Sequence, residues 1–128
     1  DNFAIWSAVM QQRAAQLGID AESTHWLLHR HGIRVEAIFR QIELDTELSQ
    51  RILPGLPFIY ADLLHCAHNE MVVHLDDLLR RRLPLLILAK LTASDLMRIA
   101  SRAASAMHWS DTRLRQEIEH CRQQWITH

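Results

Sequence analysis

Nine histidines in 128 residues are the first candidates for chemistry in this chain. His25 and His29 stand four apart, and His65 and His68 three apart, spacings at which two imidazoles on one helical face can converge on a metal ion. A zinc site needs at least a third protein ligand, and a metalloprotease needs H-E-x-x-H, which His68-Asn69-Glu70 does not supply. The pairs read as surface or capping histidines, and no metal site is expected. Cys66 follows His65, and a thiolate activated by an imidazole is a nucleophile. Adjacent helical positions do not face one another, however. Cys66 also shares an apolar stripe with Ile59, Leu63, Ala67 and Val73, where a cysteine behaves as a small hydrophobe. Core packing is its expected role.

The most unusual constellation is Glu70, Asp77 and Arg81, at seven- and four-residue spacing with His74 between them. On one helix these charges run beside the apolar stripe instead of opposite it. Two readings stay open. One is a solvated flank, in which the Asp77–Arg81 pair is worth a few tenths of a kcal/mol. The other is a partly buried network that pins the helix to its neighbours or to a domain outside this chain. Losing one partner there would cost ~3–5 kcal/mol.

The elements that must position these residues read as helical almost throughout. Phe3, Trp6, Val9, Met10 and Leu17 step at three and four residues, and Gly18 is a plausible stop. Asp20 can cap a second helix running to His31, ended by Gly32, and Val35, Ile38, Phe39 and Ile42 mark a third. Leu53-Pro54-Gly55-Leu56-Pro57 is the clearest break. Beyond it the spacing predicts one long central helix from Phe58 to about Arg82, ended or kinked by Pro84. Thr92 to Asp95 has the spacing of a capping box for a helix through Leu96, Ile99, Ala103 and Met107. Ser110-Asp111 opens the last, with Leu114, Ile118, Cys121 and Trp125 on its face. No segment alternates like a strand. The expectation is an all-α compact bundle of five to six helices, residues 1–128 forming a single domain.

Composition bounds the partners. The three glycines are scattered, so neither a Rossmann Gly-x-Gly-x-x-Gly nor a P-loop can be written. Fourteen basic residues balance fifteen acidic ones, which argues against nucleic acid as a partner, since phosphate binding draws on a basic surplus. The longest uncharged apolar run, Leu83 to Ala89, is far short of the ~20 residues of a membrane span. Two cysteines without a C-x-x-C fit a reducing, cytoplasmic setting. The chain opens Asp1-Asn2-Phe3 and enters helical periodicity at once, which reads as a piece of a longer polypeptide. A free-standing helical interaction or regulatory module is the alternative.

Several motifs together resemble a known family. Pro57-Phe-Ile-Tyr-Ala-Asp-Leu-Leu-His-Cys-Ala-His-Asn-Glu70, followed by Leu75-Asp-Asp77-Leu-Leu79-Arg-Arg81-Arg82, resembles the C-terminal helical domain of FAD-dependent glycerol-3-phosphate dehydrogenases and oxidases. Upstream, Leu28-His-Arg30-His31-Gly32 is similar to that family's Leu-x-Arg-Tyr-Gly helix end, and His108-Trp109 to its Gly-Trp. The similarity runs from about residue 24 to 125. It departs at Asp62 for Glu, His31 for Tyr, His74 for Thr and Leu83 for Thr, with Pro84 at a position often basic.

The resemblance implies a parent that oxidises sn-glycerol 3-phosphate to dihydroxyacetone phosphate, passing a hydride to FAD and electrons onward to quinone or oxygen. It implies that the FAD-binding, substrate-binding and catalytic residues lie N-terminal to this domain. The chain itself is then expected to bind no cofactor and to be inert alone. Its partners are the FAD and substrate domains of the same polypeptide, and the parent is expected in the cytoplasm or peripherally on the inner face of the membrane. Glu70, Asp77, Arg81 and Arg82 carry over only as signature polar positions, with a structural or domain-docking role.

Overall fold

A computed structural model describes residues 2–69 and 74–125. Among these residues the protein is all-α, and the one pairing of extended backbone is an isolated antiparallel bridge between Arg51 and Ile59. Six helices of ten or more residues carry the structure, with two short ones between them. They are α1 (Asn2–Gln16), α2 (Ala21–His31), α3 (Val35–Leu44), α4 (Tyr60–Asn69), α5 (Leu75–Asp77), α6 (Leu85–Leu88), α7 (Ala93–Met107) and α8 (Asp111–Trp125). Two compact units divide the chain, one ending at Asp62 and the other beginning at Leu63.

In the first unit, Gly18 ends α1 in a left-handed conformation, φ +86°, which lets the chain reverse into α2 with little side-chain penalty. Asp20 caps α2, its carboxylate accepting hydrogen bonds from the Ser23 N–H and hydroxyl at 2.8 Å each. Arg51 braces the same carboxylate through Nε and Nη2 at 3.0 Å and reaches Glu22 at 2.8 Å. Gly32 closes α2 at φ +56°, donating its N–H to Leu28. A 3-10 turn, Gly32–Arg34, leads into α3. The buried face of α3 is Val35, Ile38, Phe39 and Ile42, the i, i+3, i+4, i+7 pattern, each side chain contributing about 1.5–3 kcal/mol. Leu53 to Leu56 form a turn closed by Leu56 N–H on Leu53 O at 3.2 Å, as Pro54-Gly55 demands.

In the second unit, Leu63, Cys66 and Ala67 of α4 are buried, so the cysteine sits in the core as its stripe position predicts. Val73 lies outside the described residues. Leu75, Leu78, Leu79, Leu83 and Leu85 are all fully buried. The apolar face of α7, Leu96, Ile99, Ala100 and Ala103, packs on α8, and α5 packs on α8 as well. The capping box on α7 is present: Thr92 Oγ accepts from Asp95 N–H at 3.0 Å, and Asp95 accepts from Thr92 N–H at 3.1 Å. Ser110 Oγ accepts from Arg113 N–H at 3.1 Å at the start of α8.

The expected long central helix is not continuous. His74 is extended (φ −120°, ψ 151°), and α5 is one turn that runs into a π-helical turn, Leu78–Arg82. Two physical causes are visible. The Leu75 N–H, which a continuous helix would give to the carbonyl four residues earlier, is taken by Glu117 Oε1 of α8 at 2.9 Å. At the other end, Leu83 precedes Pro84, which disfavours helical backbone there, and its N–H bonds Leu78 O, five residues back, at 2.8 Å.

Candidate functional site

Two buried carboxylates, Asp62 and Glu117, organise the polar side chains of the two units, and each lies within one of them. Asp62, in the first turn of α4, is buried beside His31 at the end of α2. The two side chains are almost wholly enclosed, and His31 Nε2 donates to Asp62 Oδ1 at 2.7 Å. Arg30 Nε stands 3.7 Å from the same oxygen. A lone buried carboxylate would be prohibitive to desolvate, so the imidazole and guanidinium are what make Asp62 tenable. The pair ties the end of α2 to the start of α4, 31 residues further along the chain.

Glu117 plays the same part in the second unit. It lies on the inner face of α8 and accepts from Leu75 N–H at 2.9 Å, His74 Nδ1 at 3.0 Å and Arg113 Nε at 2.9 Å. Burial pushes its carboxyl pKa up, but these three hydrogen bonds outweigh burial and leave it below the ordinary glutamate value. Beside it, His120 Nε2 stands 3.4 Å from Asp76 Oδ2. Arg113 also stacks over the Trp109 ring, 5.1 Å from its centroid. Cys121, one turn on, is buried, and burial with the Asp76 and Glu117 charges pushes its thiol to about 12, so it is no nucleophile.

Of the constellation singled out from the sequence, His74 joins the Glu117 cluster, and its other described charges sit elsewhere. Asp77 and Arg81 approach to 3.9 Å, both substantially exposed, which is the geometry of a solvated flank. Arg82 is exposed too, and Glu70 lies outside the described residues. The carboxylates that are buried, Asp62 and Glu117, were missed as a network because their partners are 31 and 43 residues distant. His25 and His29 stack on the exposed face of α2 with ring centroids 6.0 Å apart, and His65 bonds Asn69 one turn along α4. Open grooves occur at α1–α2, about 580 Å³, and between α6 and Trp125, about 340 Å³. Their walls are mainly apolar and amide side chains, and neither collects an acid beside a base.

Among the described residues, the buried carboxylates Asp62 and Glu117 each hold helix ends together. The family model of the C-terminal domain of alpha-glycerophosphate oxidase matches residues 2–114, and the chain belongs to that family. It is thus a C-terminal accessory domain of the flavoprotein oxidase class, as the sequence motifs suggested. Neither a curated protein nor a solved structure gives a significant match. Among the described residues no helix is long and apolar enough to cross a membrane.

The flavin associated with this family does not fit the residues present. A dinucleotide cradle needs a strand feeding a glycine turn at a helix N-terminus. Here the described residues hold no strand, Gly18 and Gly32 close helices, and Gly55 belongs to a turn between prolines.

Proposed function

We propose that residues 1–128 form one domain, the C-terminal helical cap of an FAD-dependent glycerol-3-phosphate dehydrogenase. The parent oxidises sn-glycerol 3-phosphate to dihydroxyacetone phosphate, in glycerol metabolism, with FAD held by residues outside this chain. The cap contributes no catalytic side chain and supports the catalytic part by docking on it. The observation that carries this reading is the family match, which runs through both compact units from residue 2 to 114. The exposure of Asp77, Arg81 and Arg82 supports a docking role for them, since exposed charges are available to a partner surface. Glu70 is assigned to the same docking set. Two buried cysteines that form no disulfide, Cys66 and Cys121, suit a reducing cytoplasmic compartment.

The test is turnover by the full-length polypeptide that carries this domain. Oxidation of sn-glycerol 3-phosphate, and none by the 128-residue chain alone, is the expected result. Flavin bound by the isolated chain, or a full-length protein that turns over amino acids and ignores glycerol 3-phosphate, would overturn the assignment.

A further inference from the structure

We propose that the first two turns of α1 are a docking surface, covered by an apolar face of the polypeptide that precedes this domain. The inference rests on the accessory-domain reading above and names where the attachment is made.

Along α1, Met10 and Ala14 are buried on the inner side. A second stripe, about 150° round the helix at 100° per residue, runs Ile5, Val9, Gln12, Gln16. Its composition changes half way. Ile5 is 64% exposed and Val9 53%, whereas the two later positions are amides. Phe3, 67% exposed, lies on the Met10 side of the helix and pairs with Trp6 at a centroid separation of 5.9 Å, so the first two turns expose apolar side chains on both sides. A helix apolar on two sides belongs inside a larger body. Here only the N-terminal half has that character, and the same stripe becomes polar at Gln12.

The position of the change selects the occupant. In a family of C-terminal domains, preceding polypeptide joins at α1, and the uncovered apolar turns are those nearest that junction. A tethered surface is present at high effective concentration, so a few apolar side chains suffice to hold it. An anionic lipid surface is disfavoured by the charges: residues 1–12 contain one acid and no Lys or Arg.

Thiol labelling of the full-length polypeptide, read site by site by peptide mass, tests the proposal. Ile5→Cys and Val9→Cys report the surface. Ile33→Cys and Leu44→Cys, at positions 80% and 84% exposed, are references, and the native Cys66 and Cys121 are buried. Because all four substitutions fall on exposed side chains, the fold tolerates them. The expected result is labelling at positions 5 and 9 at least about tenfold slower than at 33 and 44, at every protein concentration. Equal rates overturn the proposal. Protection that vanishes on dilution also overturns it, since a second copy is then the cover. Flavin content and glycerol 3-phosphate turnover are measured on the same samples. Protected thiols in a protein without that activity would remove the reaction and leave the surface. Reactive thiols in an active enzyme would do the reverse.

Discussion

His31 and Asp62 are two of the positions at which this chain departs from the family pattern, and the structure brings them into contact at 2.7 Å. The resemblance places tyrosine and glutamate at these positions, and both are longer than histidine and aspartate, so the two departures shorten the same donor-to-carboxylate contact from both ends. His31→Tyr and Asp62→Glu should each cost about 1–3 kcal/mol singly, and because the two side chains touch, the double variant should differ from their sum by about 1 kcal/mol, measured by urea unfolding. Strict additivity would show that the two substitutions are independent. His74, a third departure, is absorbed by Glu117. Because Glu117's folded pKa lies below its ordinary value of 4.5, its contribution is complete above that value and is lost as pH falls through the lower folded one. Glu117→Gln should flatten the acid limb of the stability–pH profile below about pH 4.5 and lower stability at neutral pH. An unchanged acid limb would mean that other carboxylates govern it. Asp20, held well below the usual carboxylate range chiefly by Arg51's hydrogen bonds against the opposing effect of burial, gives way only at still lower pH.

At the scale of elements, what was legible was local. Asp20 with Ser23, Thr92 with Asp95, and Gly18 and Gly32 at helix ends are read within four residues, and all stand where the spacing places them. The break at His74 was not legible, because its cause is a carboxylate on α8 taking the Leu75 N–H, 42 residues away. Periodicity through Leu75, Leu78 and Leu79 is the same whether the turn is α or π, so the π turn leaves little trace either. His108, where the family has glycine, closes α7 in a left-handed conformation at φ +57°. A side chain is strained there and glycine is not. His108→Gly should raise stability by about 1 kcal/mol in thermal or urea unfolding, and a loss would mean that the imidazole makes compensating contacts.

Over the whole molecule, the function became legible through a resemblance spanning most of the chain, not through any one constellation. The Glu70, Asp77 and Arg81 spacing drew attention to a helix whose described charges, Asp77 and Arg81, lie on a solvated flank. The buried polar clusters instead join helix ends within each unit, which suits the rigid cap proposed above. The open apolar turns of α1 supply the other requirement of a cap, a face that needs covering. This domain is proposed to serve a flavoenzyme acting on glycerol 3-phosphate. The most direct test is the flavin absorption of the full-length protein, recorded without oxygen as sn-glycerol 3-phosphate is added. The expected result is an oxidised-flavin band that bleaches with the appearance of dihydroxyacetone phosphate. A full-length protein without flavin, or one whose flavin stays oxidised in excess glycerol 3-phosphate, would contradict it.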